Sequence, residues 1–439
     1  MKRKNTIKII IFILLLGLLF GVVSHVLTAV DKSGFQNIHG LYEEPADSLD
    51  AVYIGSSNCF EYWNPLLAWK EYGITVYPYC CNATQFYATE FLIKEARKTQ
   101  PDAVYIVNIN SLTNGKISIS RMRTIIDCMP FSENKLEMID YLADIGDYSF
   151  NDRIEFYVPI IRYHTRWSQL TPGDFYMKVN GLKGASTYDR HFDTSTDISE
   201  DYVTSEGEVE LVDKIVDSTN RLLDYCDKEN LKVLFVTVPQ ARGKEYDAER
   251  YNALNRLIES RGYDVLNLLD KNEETGIDAT KDFYNHHHTN IHGSVKYTYY
   301  LSEYLLEYYG FDDKRGDKAY ASWDEAYENY TDLIAPYTLD FELTPHNRAF
   351  ELTEPVVQAK AEGDYALLSW EPVKNADGYL IYKKVKKTGD WEMAGETEDT
   401  AFRDTMKKEG NHFYTVVPFL QKETRYYGDF NYKGVKLAH

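Results

Sequence analysis

The sequence predicts an α/β protein with a mainly parallel sheet, preceded by a transmembrane helix and followed by an all-β, immunoglobulin-like sandwich. One observation is the alternation of apolar strand-like runs with helical patterns, which is typical of βαβ units. A second is a long apolar run near the amino terminus, and a third is a change to short alternating strands after residue 354. The expected divisions are an anchor at 1–30, an α/β domain at 31–310 with an insertion at about 111–200, a linker at 311–354 and a β domain at 355–439.

The amino-terminal run is long enough to cross a bilayer. Basic residues at positions 2, 3, 4 and 8 precede an apolar stretch that extends from Ile9 to Val30. These 22 residues would span roughly 33 Å as a helix. Positive charge before the run places the amino terminus in the cytoplasm and the rest of the chain outside. A cleaved signal peptide is the alternative, but Leu27-Thr28-Ala29 is a poor cleavage site, so an uncleaved anchor is favoured.

Strand and helix patterns alternate through most of the α/β domain. The strand-like runs are at 49–55, 73–77, 103–110, 231–239 and 263–268. The helical patterns are at 63–72, 87–99, 208–228, 246–261 and 295–309, and a further stretch at 121–148 is helical around Pro130. Between 111 and 200 the pattern loosens, which indicates an insertion that shapes a binding face.

Composition excludes several classes of protein. Hydrophobic residues make up 44% of the chain and charged residues 26%, as in ordinary globular proteins. A formal net charge of −20 disfavours nucleic-acid binding, which needs lysine and arginine to displace counterions. The five cysteines lack the even count and repeated spacing of a disulfide framework. A vicinal Cys80–Cys81 disulfide is one alternative, and free buried thiols are the favoured one.

The sequence of the carboxyl-terminal region predicts short strands around a buried tryptophan, Trp370. The predicted strands are 365–372, 378–384 and 412–418. The sequence motif Ser369-Trp370-Glu371-Pro372-Val373, followed by Ala376-Asp377-Gly378-Tyr379, resembles the corresponding motif of fibronectin type III domains. That resemblance implies adhesion or spacing rather than chemistry.

Two distant stretches together predict an acyl-transfer site. Gly55-Ser56-Ser57 follows the first strand, at the sheet edge where open α/β proteins place their sites. A serine hydroxyl becomes a nucleophile only when a base removes its proton and fixed donors bind the oxyanion. The stretch 282–293 contains four of the eleven histidines and lies just before a helix, a suitable setting for a general base.

Gly55-Ser56-Ser57, together with the late Asx-x-x-His at 285–288, resembles the SGNH/GDSL hydrolase superfamily, in particular its membrane-anchored DltD-like and alginate-acetylation-type members. The resemblance covers roughly residues 45 to 310 and implies a three-layer α/β/α fold. It implies that Ser57 is the nucleophile and His288 the base. Thr289, Asn290 and Gly293 fill the family's His-x-Asn-x-x-Gly tail.

The late motif departs from the family at its acid. Asn285 stands where the family has aspartate. Asparagine can orient a neutral imidazole but stabilises imidazolium poorly, and in a serine protease triad the same exchange costs about 10⁴ in turnover. Asp282, about one turn earlier, is a candidate substitute acid.

The oxyanion donors are also expected from the resemblance. They are the Ser57 backbone N–H and the Asn110 side chain, with Asn108 behind it. Cys81 stands where the family's second-block glycine is expected, and so departs from the family pattern.

The resemblance implies an extracytoplasmic, single-pass serine esterase or O-acyltransferase that acts on a cell-envelope polymer, such as teichoic acid or a polysaccharide, through an acyl-serine. It further implies a membrane-bound O-acyltransferase partner and no loose cofactor. One alternative is a catalytically inactive SGNH-fold protein that serves as a binding or scaffold module. Another is a metal-dependent hydrolase using the cluster His286, His287, His288 and His292, in which His288 and His292 have helical ligand spacing.

Overall fold

The structure is a computed structural model that describes most of the chain. The described residues are 2–28, 32–112, 115–176, 179, 181–186, 205–241, 245–269, 271–277, 279, 282–285, 287–334, 352–385, 391–406, 410–422, 425–428 and 434–438. They form an apolar amino-terminal helix, an α/β region with a parallel sheet and a separate antiparallel β region at the carboxyl terminus.

The helices are α1 Lys2–Thr28, α2 Lys32–Gly40, α3 Ser57–Tyr62, α4 Pro65–Tyr72, α5 Thr89–Ala96, α6 Ile119–Ile126, α7 Glu133–Ile145, α8 Phe150–Tyr157, α9 Ile160–Tyr163, α10 Asp213–Glu229, α11 Glu245–Ser260, α12 Asn272–Thr275, α13 Ile291–Tyr309 and α14 Ala321–Ile334. The strands are β1 Ala51–Gly55, β2 Val76–Cys80, β3 Val104–Asn108, β4 Val233–Thr237, β5 Asp264–Asn267, β6 Gln358–Glu362, β7 Tyr365–Ser369, β8 Gly378–Val385, β9 Glu392–Thr397, β10 Ala401–Thr405, β11 Asn411–Gln421, β12 Arg425–Tyr427 and β13 Val435–Ala438.

The α/β region is built on a five-stranded parallel sheet in the order β2-β1-β3-β4-β5. β1 to β4 are buried along their whole length, as expected for parallel strands with helices on both faces. Val52 and Ile54 pack into a cluster with α5, α10 and α11, whereas Tyr53 packs on the other face with α3 and α13. The order reverses between β1 and β3, so a crevice is expected at the carboxyl end of β1.

The predicted parallel α/β class is confirmed, and all five predicted strands are present. The second strand was predicted to begin at Gly73 but begins at Val76. Gly73 has φ 71° and ends α4 in a left-handed conformation, with its N–H bonded to the Trp69 carbonyl oxygen. The glycine therefore terminates a helix instead of opening a strand.

The region 311–354, predicted to be a linker, contains the helix α14. The indole of Trp323 donates to the Glu44 carboxylate at 3.0 Å, and the indole of Trp69 on α4 donates to Asp324 at 2.9 Å. These contacts hold α14 against the α/β region, because buried indole N–H groups require acceptors. The predicted insertion also has regular structure, since α6 to α9 lie within it.

The carboxyl-terminal strands form two antiparallel sheets, β10-β7-β6 and β12-β11-β8-β9, with β13 paired to β11. The three strands predicted here correspond to β7, β8 and β11. Trp370 is buried and packs edge-on against Tyr379, with ring centroids 5.2 Å apart. The prediction of a separate all-β region at the carboxyl terminus is confirmed.

All five cysteines are free and buried, as the favoured interpretation predicted. The alternative of a Cys80–Cys81 disulfide is wrong. Successive strand residues point to opposite faces, and Cys80 and Cys81 accordingly lie in different apolar clusters on the two sides of the sheet. Cys80 faces Cys59 of α3, and burial raises the pKa of its thiol well above the usual range.

Residues Asn5–Thr28 of α1 form a helix long and apolar enough to cross a membrane. A signal sequence near the amino terminus meets the same criterion. The last turn, Val26 to Thr28, is buried against the rest of the protein, while the preceding apolar side chains are exposed.

Candidate active site

Ser57 is the first residue of α3, immediately beyond the carboxyl end of β1. The turn that precedes it depends on Gly55. A Cβ added there would lie 2.6 Å from Cys59 Sγ and 2.8 Å from Asn108 Cβ, so a side chain does not fit. Because a first-turn residue has no intrahelical carbonyl partner for its N–H, the position of Ser57 suits its predicted role as a backbone donor to an oxyanion.

The structure brings Ser57 and His288 together. Ser57 Oγ lies 2.8 Å from His288 Nε2, although the two residues are 231 positions apart in sequence. When Oγ–H donates to Nε2, the neutral imidazole carries its proton on Nδ1. This is the arrangement in which a histidine can accept the hydroxyl proton of a serine nucleophile. The His288 side chain is 22% exposed, so the pair is accessible at the surface.

Asn285 holds the other side of the imidazole ring. Its side-chain oxygen Oδ1 lies 3.1 Å from His288 Nδ1. The same oxygen accepts hydrogen bonds from the backbone N–H groups of His287 and His288, at 2.9 and 3.0 Å. The two backbone donors identify this atom as the oxygen, because the amide nitrogen cannot accept them. Asn285 therefore orients the ring in the tautomer required at Ser57, but it brings no charge.

Glu61 supplies the charge that Asn285 lacks. Its Oε2 lies 3.5 Å from His288 Nδ1, and its side chain is only 4% exposed. Oε2 also accepts a hydrogen bond from the Tyr284 hydroxyl at 2.7 Å, which fixes the carboxylate near the ring. A buried carboxylate at this distance stabilises an imidazolium. Glu61 was not among the residues predicted from the sequence.

One signal in the sequence points to Glu61. It follows Ser57 by four residues, and residues i and i+4 share one face of a helix. That relation is visible only if a helix is assumed to begin at Ser57. The resemblance to known hydrolases instead directs attention to the Asx three residues before the histidine.

The histidine loop is bound to α3 by further hydrogen bonds. Asn58 Nδ2 donates to the His287 carbonyl oxygen at 2.9 Å. The Tyr62 hydroxyl lies between two carbonyl oxygens, that of Pro239 at 2.6 Å and that of His287 at 3.1 Å, and its single proton is shared between them. The Thr289 hydroxyl donates to the Glu61 carbonyl oxygen at 3.0 Å. Burial raises the pKa of Tyr62 well above its usual range, and the neighbouring Glu61 charge adds to this, so the phenol remains a donor.

The residues after His288 have structural roles at the start of α13. Asn290 Oδ1 accepts a hydrogen bond from the Gly293 N–H at 3.2 Å, as a helix-capping side chain does. A Cβ on Gly293 would lie 2.4 Å from the Asp282 carbonyl oxygen, so only glycine allows the helix to approach the loop this closely. The ring of Tyr284 stacks on that of His288, with centroids 5.7 Å apart.

Asp282, the predicted substitute acid, is placed elsewhere. Its Oδ2 lies 2.8 Å from Lys296 Nζ on α13, and its side chain is buried. The pair joins the start of the loop to the helix that follows. The carboxylate that the structure places beside His288 Nδ1 is that of Glu61.

The two asparagines predicted as oxyanion donors bond to each other and to the segment after β4. Asn110 Oδ1 accepts hydrogen bonds from the Val238 N–H at 2.8 Å and from Asn108 Nδ2 at 3.3 Å. The buried Asn108 also donates to the Tyr53 hydroxyl at 3.4 Å. These contacts join the ends of β3 and β4. Cys81 lies in the core just beyond β2, with its thiol buried.

The histidine cluster divides into residues with different surroundings. His287 is exposed and contributes its backbone carbonyl and N–H. His286 and the side chain of His292 lie outside what the structure describes. Among the described residues there is no group of three or more histidine, cysteine or acidic side chains that could hold a metal ion.

Comparison with known proteins does not identify a family for the chain. No family model matches, and no curated protein matches. Among solved structures, a twitchin kinase region from C. elegans covers 20% of the chain at 14% identity with a TM-score of 0.17. A β-1,2-glucanase from Parabacteroides distasonis covers 20% at 18% identity with a TM-score of 0.17, and a Fn3-like protein from Clostridium thermocellum covers 18% at 18% identity with a TM-score of 0.15.

The chain aligns with 16% of the twitchin fragment, 12% of the glucanase and 83% of the Fn3-like protein. Similarity at this level carries no argument about fold or function.

Proposed function

We propose that Ser57, His288 and Glu61 form a serine acyl-transfer site, and that the chain is an SGNH-type esterase or O-acyltransferase. The observation that supports this most directly is the 2.8 Å contact between Ser57 Oγ and His288 Nε2. It joins the carboxyl end of β1 to the loop before α13. The buried Glu61 carboxylate behind the ring completes the nucleophile, base and acid of a triad.

The proposed reaction has two steps. In the first, Ser57 Oγ attacks the carbonyl carbon of an acyl ester while His288 Nε2 takes the hydroxyl proton. The tetrahedral intermediate expels the alcohol, which leaves with the proton from Nε2, and the acyl group stays on Ser57. In the second step, water or an acceptor hydroxyl attacks the acyl carbon and gives its proton to Nε2, and Nε2 returns that proton to Ser57 Oγ as the acyl–serine bond breaks. Throughout, Asn285 keeps the ring in one tautomer and Glu61 stabilises the imidazolium.

The substrate and setting follow from the proposed anchor and from the resemblance to envelope acyltransferases. With α1 crossing the membrane and basic residues on the cytoplasmic side, the site lies outside the cell. The proposed substrate is a cell-envelope polymer with hydroxyl groups. A membrane-bound O-acyltransferase that exports the acyl group is the proposed partner.

The carboxyl-terminal β region is proposed to be a fibronectin type III-like domain. The packing of Trp370 on Tyr379 between two antiparallel sheets supports this assignment. Its role in this proposal is to bind or space the envelope polymer.

Labelling with a fluorophosphonate probe tests the nucleophile. Ser57→Ala is expected to abolish labelling of the full chain. Ser56→Ala is the matched control, because the Ser56 hydroxyl donates to Asn58 Oδ1 at 3.3 Å and not to His288. Unchanged labelling of Ser57→Ala, or loss of labelling only in Ser56→Ala, would contradict the assignment of the nucleophile.

A non-enzymatic scaffold is the second candidate function. It is favoured by Asn285, which stands where the related hydrolases carry their acid. In that case Ser57→Ala would have no effect in cells, whereas deletion of 355–439 would abolish binding to the polymer. Fluorophosphonate labelling of Ser57 would reject this candidate.

A further inference from the structure

We infer that residues 160–176 form a lipid-contacting segment that seats the extracytoplasmic domain on the outer leaflet of the membrane. The inference rests on the proposed anchorage of α1. The segment comprises α9, the 3-10 helix His164–Gln169 and the 3-10 turn Pro172–Asp174. Its exposed large apolar side chains are Ile161, Trp167, Phe175 and Tyr176.

The 160–176 segment is fixed to the end of the proposed membrane span. α9 and the following 3-10 helix both pack against α1. Arg166 donates two hydrogen bonds to the final carbonyl groups of α1, to Val26 O at 3.0 Å and to Leu27 O at 2.9 Å. The same guanidinium pairs with the buried Asp174. The segment therefore stays at the level of the last turn of α1.

The length of α1 sets the depth of that turn. Lys8 is the last charged residue before the apolar run, so the hydrocarbon core begins near Ile9. A core about 30 Å thick requires about 20 residues at 1.5 Å per residue, which extends to Thr28. Val26 to Thr28 are already buried by the protein. The 160–176 segment must consequently reach the boundary between headgroups and acyl chains.

The exposed side chains suit that boundary. Trp167 is 72% exposed and Tyr176 is 82% exposed, which is costly for such large rings in water. Tryptophan and tyrosine are enriched at membrane interfaces, where their apolar bodies contact acyl chains and their polar atoms remain hydrated. Phe131, shortly before α7, and Phe150, the first residue of α8, are also exposed within the same insertion.

The tryptophans of the chain provide a direct test. There are six, and the other five are buried, so Trp167 is the single exposed one. The full chain is reconstituted in phosphatidylcholine and phosphatidylglycerol vesicles whose phosphatidylcholine carries bromine on its acyl chains. The emission of Trp167 is obtained as the difference between the natural chain and Trp167→Phe. We expect the brominated lipid to quench most of this emission, and aqueous iodide to leave it unchanged.

Two further reporters make the test specific. Tyr176→Trp in the Trp167→Phe background moves the reporter along the segment and should be quenched by the brominated lipid in the same way. Tyr308→Trp places a reporter at an exposed site on α13, outside the segment, and should respond to iodide instead. Equal quenching by the brominated lipid at positions 176 and 308 would overturn the assignment of this segment.

The outcomes separate the two proposals. Release of the chain from vesicles by alkaline carbonate would overturn the anchorage and, with it, the lipid contact. Retention of the chain with Trp167 open to iodide and insensitive to brominated lipid would overturn the lipid contact alone. That second result would indicate that the exposed apolar side chains of the 160–176 segment contact a partner protein instead of lipid.

Discussion

Replacing Glu61 with glutamine removes one charge from the site and changes almost nothing else in shape. At 3.5 Å, a carboxylate and an imidazolium attract each other by about 5 kcal/mol when the effective dielectric constant is about 20. Since about 1.4 kcal/mol corresponds to a ten-fold change in rate, the upper bound on the loss is somewhat above 10³. The ring keeps its tautomer through Asn285, so the loss should stay below the ~10⁴ that follows when a triad loses both charge and tautomer. We expect Glu61→Gln to lower kcat/KM by roughly 10²–10³.

The assay is steady-state hydrolysis of a p-nitrophenyl acyl ester by the full chain, with fluorophosphonate labelling rates as a second readout. Adding Asn285→Asp to Glu61→Gln restores a carboxylate next to Nδ1 and should recover part of the rate. Glu303→Gln is the matched control, because Glu303 also accepts a tyrosine hydroxyl but is exposed on α13. If Glu61→Gln retains activity within about two-fold, a change of only about 0.4 kcal/mol, the assignment of Glu61 as the acid is wrong.

Three further predictions concern the rest of the chain. Burial raises the pKa of Cys226 to about 12, so its thiolate fraction at pH 8 is about 10⁻⁴. Because all five thiols are buried, iodoacetamide should modify no cysteine until the protein is denatured. Burial opposes ionisation of Asp174, but a backbone N–H and Arg166 outweigh it and hold its pKa well below the usual range. Its stabilisation is therefore complete above about pH 4 and lost as the pH falls, so Asp174→Asn should lower the melting temperature at pH 7 more than at pH 2. Gly293→Ala places a Cβ 2.4 Å from a loop carbonyl oxygen and should cost roughly 1–3 kcal/mol in urea unfolding, whereas Gly181→Ala, whose Cβ would meet no atom of the described residues within 4 Å, should be neutral.

The sheet could be predicted because its strands are continuous apolar runs with helical patterns between them. α14 was not predicted, although its buried residues Trp323, Ala326 and Tyr330 have the i, i+3, i+7 spacing of one helical face. Its position depends on distant partners, such as Glu44 for the indole of Trp323. Sequence periodicity does not report such tertiary contacts.

The candidate site, like the fold, was predicted from the sequence only in part. The order of the serine and histidine motifs was enough to predict the pair Ser57 and His288, which the structure places in hydrogen-bonding contact. Glu61 was missed because its relation to the histidine exists only after the loop has docked on α3. Asp282 was proposed from its proximity in sequence, but its charge is directed to Lys296 on the following helix.

The short helix α3 carries both the proposed nucleophile and the proposed acid, and its residues also bind the loop that brings the base. Ser57 and Glu61 cannot move apart, since they are separated by a single turn of one helix. The loop that carries His288 and Asn285 is therefore the detachable part of the site. A displacement of this loop would break the contact of His288 with the Ser57 hydroxyl and its contact with the Glu61 carboxylate at the same time. The proposed nucleophile and acid would then lose their base together.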